Sequence, residues 1–306
     1  MKKLNVCLWL YDTDLTNEFI QLLTPVQDLI YLHLGLCESN NNKTTIKKFK
    51  NSSIHYRPYF YPNAGADILS FLSILNTLDD DAIFLKIHSK KSPWGIYQQC
   101  NWRAILLDSL IGSRQKVIDN IKLLEDSNTL VANEFFMLNN LEGINSDYIK
   151  QITDKFNIVT YSKYFAAGTM FYSHKYNFTP FIKNLDYFYN NLLEYKGKVN
   201  DDQAGTMPHA LERLFGYIHQ KYTHTQDFKY TVKIKSDQAT KINLCPSKYV
   251  HLNILYNNDC YLMANANYYG TVLKHTTDRI MIRWVYLEKP VERTYYKISD
   301  KIFSST

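Results

Sequence analysis

The chain has 306 residues, of which 45% are hydrophobic and 21% charged, as is ordinary for a globular protein with a large core. Its 35 Lys and Arg against 29 Asp and Glu give a formal net charge of +6, which favours anionic partners without naming one. The five cysteines have no CxxC or CxxH spacing, which argues against a zinc site or a disulfide framework and for a reducing compartment.

The first ninety residues alternate between strand-like and helix-like patterns. Apolar runs predict strands over residues 5–10, 29–36 and 54–61, and helical spacing predicts helices over residues 16–23 and 68–78. Residues 38–53 are polar and are interpreted as an exposed loop or a frayed helix. The alternation predicts an α/β domain with a mainly parallel sheet. The apolar run at the amino terminus is too short for a signal peptide, so we expect a cytoplasmic protein.

A basic stretch follows a fourth apolar run, residues 82–85. Lys86, His88 and Lys90 alternate with uncharged residues, so a strand that continues through them places three basic groups on one side of its carboxyl end. A buried lysine needs a counter-charge, which an anionic ligand at the strand end would supply. Open α/β sheets bind ligands at that end. The alternative is that the strand stops at Leu85 and the basic residues form a solvated loop.

The later elements are predicted as helices over residues 102–112, 117–124 and 180–195, a strand over 130–136 and a single strand over 165–172. From residue 226 onward the sequence changes to short strand-like runs rich in tyrosine. We therefore expect one domain over residues 1–225 and a C-terminal extension or small subdomain over residues 226–306.

A two-faced helix is predicted to start near Pro208, after Asp201 and Asp202. Its apolar side comprises Leu211, Leu214, Phe215 and Ile218. Its opposite side comprises His209, Glu212, Arg213 and Gly216. This pattern fits either a solvated ionic surface or a catalytic face, and both interpretations stay open.

Five blocks in order along the chain resemble the rhamnan synthesis protein F family. They lie at residues 63–68, 85–92, 102–113, 167–171 and 209–215. The family comprises bacterial and viral polysaccharide glycosyltransferases. The resemblance implies a GT-A-like (Rossmann-type) fold and a hexosyl- or deoxyhexosyltransferase. Such an enzyme moves a sugar from a nucleotide-sugar donor to a growing surface polysaccharide or lipid-linked glycan.

The resemblance also implies a donor site. Its expected residues are Tyr11, Asn63, Gly65, Asp67, Lys86, His88, Lys90 and Arg103. Where GT-A enzymes usually carry an Asp-x-Asp metal motif, this chain has Lys86, His88 and Lys90. A leaving nucleoside diphosphate needs positive charge, which fixed cations or a divalent ion can supply. We therefore expect no metal requirement and assign no metal ligand, with Mg²⁺ or Mn²⁺ as the alternative.

Direct displacement also needs a general base, normally Asp or Glu. The catalytic candidates are Asp202, Glu212 and His209. The family has an aspartate immediately before a Gly-Thr pair where this chain has Ala204, so either Asp202 replaces it or Glu212 is the base. The residues assigned to the acceptor are Gly168, Thr169 and Arg213.

Two further classes of protein are weighed against this one. The residue Ala204 also fits a catalytically inactive glycan-binding or polysaccharide-assembly module that retains the fold. A nucleic-acid-binding protein is disfavoured, because the sequence pattern indicates no basic helix and no RNA-binding block. The expected partners are a nucleotide-sugar and a glycan acceptor, with peripheral contact at the cytoplasmic face of the inner membrane and no nucleic acid.

Overall fold

The computed structural model describes residues 3–89, 102–124, 128–133, 137–139, 143–196, 205–224, 240–242, 249–251, 269–275, 279–286, 289–299 and 302–304. The chain divides into two compact units, residues 1–90 with 107–225, and residues 91–106 with 226–306. None of the helices in the described segments is both long and apolar enough to cross a membrane.

The strands described in the first unit are β1 (Leu4–Leu10), β2 (Ile30–Cys37), β3 (Tyr56–Tyr61), β4 (Ile83–His88), β5 (Thr129–Ala132), β6 (Met137–Asn139), β7 (Tyr164–Ala166), β8 (Phe171–His174) and β9 (Lys221–His224). Seven of them form one sheet in the order β3-β2-β1-β4-β8-β5-β9. All seven run parallel except β8, and β6 pairs with β7 in a separate antiparallel ribbon. The predicted α/β fold with a mainly parallel sheet flanked by helices is confirmed.

The described helices are α1 (Thr16–Leu23), α2 (Lys43–Lys50), α3 (Ile68–Asn76), α4 (Trp102–Ile111), α5 (Arg114–Lys122), α6 (Ser146–Phe156), α7 (Thr179–Lys183), α8 (Leu185–Leu192) and α9 (Met207–Tyr217). The strand order reverses direction after β3. Right-handed crossovers therefore place α1 and α2 on one face of the sheet and α3 on the other.

The core beside α3 is rich in phenylalanine. The ring of Phe71 on α3 makes edge or tilted contacts with four others, those of Phe84, Phe171, Phe178 and Phe215. Burying such a side chain contributes roughly 1.5–3 kcal/mol, so the cluster fixes α3, β4, β8 and α9 together. The elements that carry the predicted site residues are thus held by one packed core.

The predicted loop or frayed helix over residues 38–53 contains a regular helix, α2. Its sequence is KTTIKKFK, with four lysines and no acidic residue. The interpretation that the chain has no basic helix is therefore wrong. The pattern was missed because only two side chains of α2, Thr45 and Phe49, are buried, which leaves the segment polar by composition.

The single strand predicted over residues 165–172 is wrong, because two strands occupy that segment. β7 pairs with β6, whereas β8 pairs with β4 and β5. The turn between them contains Gly168 and Thr169 with φ of +82° and +51°, which a strand does not allow. The helix predicted over residues 180–195 is also two helices, α7 and α8, separated at Asn184 with φ −114° and ψ 25°.

The second unit contains an antiparallel sheet. Its described strands are β10 (Thr240–Ile242), β11 (Tyr249–His251), β12 (Tyr269–His275), β13 (Arg279–Tyr286), β14 (Lys289–Ser299) and β15 (Ile302–Ser304). They are ordered β10-β12-β13-β14-β15-β11. The strand-like runs that begin after residue 226 therefore include strands of a separate sheet.

Candidate active site at the end of strand β4

Strand β4 continues to His88, so the predicted continuation is confirmed and the solvated loop after Leu85 is wrong. Lys86 and His88 are 1% and 7% exposed. The next predicted cation, Lys90, lies outside the described residues.

The end of β4 is joined to the end of β1. The backbone N–H of Ser89 donates to the carbonyl oxygen of Trp9 at 2.9 Å, and Ser89 Oγ accepts from the backbone N–H of Asp12 at 3.0 Å. Tyr11 lies between Trp9 and Asp12 in the chain and is 39% exposed. Its carbonyl oxygen accepts from the side-chain amide of Asn40 at 2.9 Å. The predicted donor residue Tyr11 thus borders the same edge of the sheet as His88.

Lys86 finds its counter-charge within the chain. Its Nζ donates to Oδ2 of Asp67, to the carbonyl oxygen of Thr169 at 2.9 Å and to Thr169 Oγ1 at 2.7 Å. An ammonium group has three protons, and these bonds use all of them. The sequence predicts an anionic ligand as the counter-charge, and Asp67 occupies that role instead. Asp67 and Lys86 are both predicted to contact the donor, and in the structure they bind each other.

Asp67 is the residue that precedes α3, and its side chain is 14% exposed. Burial would raise the pKa of Asp67, but the charges of His88 and Lys86, with hydrogen bonds from Lys86 and Thr169, outweigh burial and hold the pKa well below its usual range. The carboxylate is therefore ionised at neutral pH. Both hydrogen bonds from described residues reach Oδ2, and none reaches Oδ1.

The turn that contains Asn63 and Gly65 delivers Asp67 to this position. Gly65 has a φ of +62°, and a Cβ at that position would lie 2.8 Å from Cβ of Leu192 on α8. Its N–H donates to the carbonyl oxygen of Tyr195 at 2.8 Å. Only glycine therefore fits this close approach between the turn and the end of α8, and Asn63 is half-buried beside it.

The turn between β7 and β8 connects the basic strand end to helix α9. Thr169 has a φ of +51°, which is rare for a β-branched residue and costs free energy that the surrounding bonds must offset. Its Oγ1 donates to Asp67 Oδ2 at 2.7 Å. His88 Nε2 lies 2.7 Å from the carbonyl oxygen of Gly168, which can only accept, so Nε2 carries a proton.

Helix α9 turns its ionic face toward this turn. Glu212 Oε1 accepts from the backbone N–H of Gly168 at 2.8 Å, and Oε2 accepts from Arg213 at 3.0 Å. The side chains of Glu212 and Arg213 are only 16% and 13% exposed. The Arg213 guanidinium lies 5.0 Å from the ring centre of Phe165. A solvated ionic surface is therefore wrong for these two residues.

His209 and Gly216 occupy the two ends of the same helix. His209 Nδ1 lies 2.7 Å from Oγ1 of Thr206, which also caps α9 by accepting from the His209 backbone N–H. The placement of Gly216 on the polar face is wrong, because Gly216 is buried against β7. A Cβ there would lie 2.2 Å from the carbonyl oxygen of Tyr164, so a larger residue would push β7 away from the helix.

The remaining predicted residues lie either in the second unit or outside the described residues. Arg103 lies on α4 within residues 91–106 of the second unit. Asp202 and Ala204 lie outside the described residues. The sequence analysis missed Thr206, although a threonine two residues before Pro208 is a typical helix-capping signal.

The described residues form no ready-made cluster for a divalent metal ion. They contain no group of three or more His, Cys, Asp or Glu side chains arranged to hold one. The carboxylate of Asp67 is paired with Lys86. The basic side chains described at the end of β4 are those of Lys86 and His88.

Comparison with known proteins gives one family. The family rhamnan synthesis protein F (RgpF) matches residues 1–224. A comparison with curated protein sequences gave no match.

Several solved structures are similar over most of the chain. One is 4-diphosphocytidyl-2C-methyl-D-erythritol synthase from Anaerococcus prevotii, with 13% identity, a TM-score of 0.38, and 73% of this chain and 88% of that one covered. Another is glucosyl-3-phosphoglycerate synthase from Mycobacterium tuberculosis in complex with uridine diphosphate, with 14% identity, a TM-score of 0.36, and 71% and 80% covered. A third, a mycobacterial protein, has 12% identity, a TM-score of 0.36, and 78% and 80% covered. At scores this low the likenesses carry no argument about function.

Proposed function

Because the chain belongs to the rhamnan synthesis protein F family of glycosyltransferases, we propose that it transfers a hexosyl or deoxyhexosyl group from a nucleotide-sugar to a growing surface polysaccharide or lipid-linked glycan. One observation carries the proposal. The turn at Gly168 and Thr169 joins the basic end of β4 to the carboxylate of Glu212 through direct hydrogen bonds. A displacement at a sugar carbon needs such a pair, with positive charge for the leaving group and a base for the attacking hydroxyl.

The donor diphosphate is proposed to bind at the carboxyl ends of β1 and β4. His88 and Lys90 are the proposed direct contacts, and Arg103 stays a prediction from the sequence. Lys86 has no proton left for a phosphate oxygen, and the ionised carboxylate of Asp67 balances its charge. The positive charge for the departing diphosphate is therefore proposed to come from His88 and Lys90 and not from Lys86, without a requirement for a metal ion.

The rest of the donor is proposed to lie along the same edge of the sheet. Tyr11, Asn63 and Gly65 border the nucleotide, because they follow β1 and precede α3 at this edge. Asp67 Oδ1, which no described residue bonds, accepts a hydroxyl of the donor. Hydroxyl recognition by a buried, ionised carboxylate is a strong, charge-assisted bond.

Glu212 is the proposed general base. The Gly168 N–H and Arg213 orient its carboxylate, and each oxygen keeps a further lone pair for a proton. Glu212 accepts the proton of the acceptor hydroxyl while that oxygen bonds to the sugar carbon and the bond from that carbon to the diphosphate oxygen breaks. Asp202 and His209 are the other candidates, and Gly168, Thr169 and Arg213 are the proposed acceptor contacts.

The alternative function is a catalytically inactive glycan-binding or assembly module. Ala204, at the position of the family's aspartate, favours it. The test is release of nucleoside diphosphate from a panel of nucleotide-sugars, with a glycan acceptor present. Turnover by the wild type supports the transferase. Glycan binding without turnover of any donor would support the module instead.

The site of action is proposed to be the cytoplasmic face of the inner membrane, with peripheral contact and no nucleic-acid partner. A net charge of +6 suits the negative surface potential of that face. Fractionation of cells that express the full chain, followed by a salt wash of the membranes, tests this placement.

A further inference from the structure

Helix α2 carries a basic face formed by Lys43, Lys47 and Lys50. Their spacing of i, i+4 and i+7 places them within an arc of about 60° at roughly 100° per residue. All three side chains are exposed. Thr45 and Phe49 are buried on the opposite side of the helix. The three lysines therefore form one outward-facing surface rather than a scattered set.

Contacts on the inner side hold this face outward. Thr45 Oγ1 lies 3.0 Å from Thr16 Oγ1 on α1, and the ring centre of Phe49 lies 5.5 Å from that of Tyr56 on β3. The Tyr56 hydroxyl also donates to the carbonyl oxygen of Ile46 at 3.3 Å. Because α1 and β3 both contact the helix, the backbone positions of the three lysines are fixed before any ligand binds.

The charge of the basic face is not compensated within the part of the chain that the structure describes. α2 contains no Asp or Glu, and none of Lys43, Lys47 and Lys50 forms a salt bridge there. Like charges at i, i+3 and i, i+4 repel one another on a helix surface. An anionic surface would relieve this repulsion, so its charge is complementary to the basic face.

An exposed aromatic side chain lies on the same side of the sheet. Side chains alternate along β3, so Phe60 shares the side of Tyr56, which packs on α2. Phe60 is 48% exposed, and β3 is the edge strand of the sheet. Lysines and an exposed aromatic ring on one side of a protein are typical of surfaces that bind lipid headgroups while the ring enters the interface.

We infer that the basic face of α2, together with Phe60, docks the protein on an anionic lipid surface. The inference rests on the proposed function, because docking on lipid matters for transfer when the acceptor is a lipid-linked glycan. The loop before α2 is joined to the end of β1, because Asn40 donates to the carbonyl oxygen of Tyr11 at 2.9 Å. The first turn of α2 therefore lies beside the edge of the sheet where the donor is proposed to bind. Docking there holds that edge close to a lipid-linked acceptor.

The test is co-sedimentation of the full chain with vesicles, which needs neither donor nor acceptor. We expect binding to vesicles that mix phosphatidylcholine with phosphatidylglycerol, weaker binding at high salt, and none to phosphatidylcholine alone. The triple variant K43Q/K47Q/K50Q lowers the partition coefficient about 100-fold. The matched control is K122Q/K155Q/K183Q, which removes the same charge from exposed lysines elsewhere and leaves binding within about threefold of wild type. Phe60→Ser weakens binding without changing its dependence on salt.

Several outcomes would overturn the inference. They are no binding of the wild type to anionic vesicles, equal losses in the two triple variants, or a gel shift with duplex DNA that depends on the α2 lysines while vesicles stay unbound. Thermal stabilisation by nucleotide-sugars, measured on the same variants, is expected to match wild type. Docking and donor binding can therefore fail independently.

Discussion

The backbone N–H of Gly168 donates to Glu212 Oε1 at 2.8 Å, while the carbonyl oxygen of the same residue accepts from His88 Nε2 at 2.7 Å. One residue thus connects an acidic group on α9 with a basic group at the end of β4. Its φ of +82° permits both bonds, and a glycine adopts that conformation without steric cost. The proposed base and the proposed diphosphate contact are therefore positioned by a single backbone unit.

Glu212→Gln keeps the length of the side chain and its bond to Gly168 but removes the charge. We expect turnover of donor and acceptor to fall by about 100-fold or more, because an amide cannot take the acceptor proton. Glu194→Gln, at an exposed position, is the matched control and should turn over donor like the wild type. Thermal stabilisation by donor should be unchanged in both variants.

Asp202→Asn tests the other carboxylate. With Glu212 as the base, this variant retains measurable turnover and its defect appears mainly in KM for the acceptor. A loss in kcat for Asp202→Asn alone would move the base to Asp202. Unchanged turnover in both variants would remove both residues from that role.

Lys86→Met leaves the ionised Asp67 carboxylate without its buried partner. We expect a loss of about 3–5 kcal/mol in the free energy of unfolding, measured by urea denaturation at neutral pH. The double variant Lys86→Met with Asp67→Leu should lose less than the sum of the single losses, because neither then leaves a buried charge alone.

A matched control is Lys150→Met, which breaks an exposed pair with Asp154 in which the two side chains are 76% and 64% exposed. We expect no measurable loss there, because solvent screens such pairs. Equal losses in Lys86→Met and Lys150→Met would show that the ion pair at the end of β4 contributes no more than a surface pair.

Thr169→Val keeps the shape of the side chain but removes the hydroxyl that lies between Asp67 and Lys86. We expect a loss of about 1–3 kcal/mol in the free energy of unfolding, since each charged neighbour then lacks one hydrogen bond. Thr169→Ser keeps the hydroxyl and should be close to wild type. A Thr169→Ser variant as unstable as Thr169→Val would mean that the methyl group, and not the hydroxyl, matters.

The sequence predicts the first half of the fold well, because its elements follow simple periods. The helix over residues 16–23 matches α1 at both ends, and the strand at Lys86 and His88 continues as its alternation indicates. The secondary structure of these segments follows from the local pattern of side chains that face the core. Proximity along parallel strands then predicts that Tyr11 and His88 share one edge of the sheet.

The partners within the site could not be read from the sequence. A lysine in a predicted buried strand indicates that a counter-charge is needed. Whether Asp67 or a ligand supplies it depends on a contact between Asp67 and Lys86, which are 19 positions apart in the chain. The break between β7 and β8 was hidden for a related reason. Thr169 favours strands by propensity, and its bonds to Asp67 and Lys86 help to hold it in a left-handed turn.

A pH dependence of stability follows from His219. Burial lowers its pKa from 6.5 to about 4. Between those values the unfolded chain binds a proton that the folded chain refuses, so the free energy of unfolding falls as pH drops from 6.5 to about 4. The loss from this residue is at most about 3 kcal/mol.

His219→Gln should flatten that slope, measured by urea denaturation across the window. Burial also lowers the pKa of His33 to about 4, so the difference between wild type and variant, and not the total slope, isolates His219. Asp67 affects stability in a lower pH range. Its pKa is lowered in the folded chain, so its contribution to the free energy of unfolding is lost only as the pH falls below the ordinary pKa of 3.8. Identical slopes in the two proteins would contradict the prediction for His219.

Removal of metal ions tests whether basic side chains or a divalent ion stabilise the leaving diphosphate. We expect transfer to persist in excess EDTA, because His88 and Lys90 are the proposed source of positive charge for the leaving diphosphate. The measurement is product formation with and without EDTA, with Mg²⁺ or Mn²⁺ added back. Complete loss on chelation, restored by either ion, would replace the account based on cations alone.

The most direct test of the proposed site is thermal stabilisation of wild type and His88→Gln by a panel of nucleotide-sugars. Glutamine can still donate to the Gly168 carbonyl oxygen but carries no positive charge. For wild type, one nucleotide-sugar at about 100 times its Kd should add ~2.7 kcal/mol of stability, and His88→Gln should gain clearly less at the same concentration. Absence of stabilisation by every nucleotide-sugar, or equal stabilisation of the two proteins below saturation, would contradict a donor site at the end of β4.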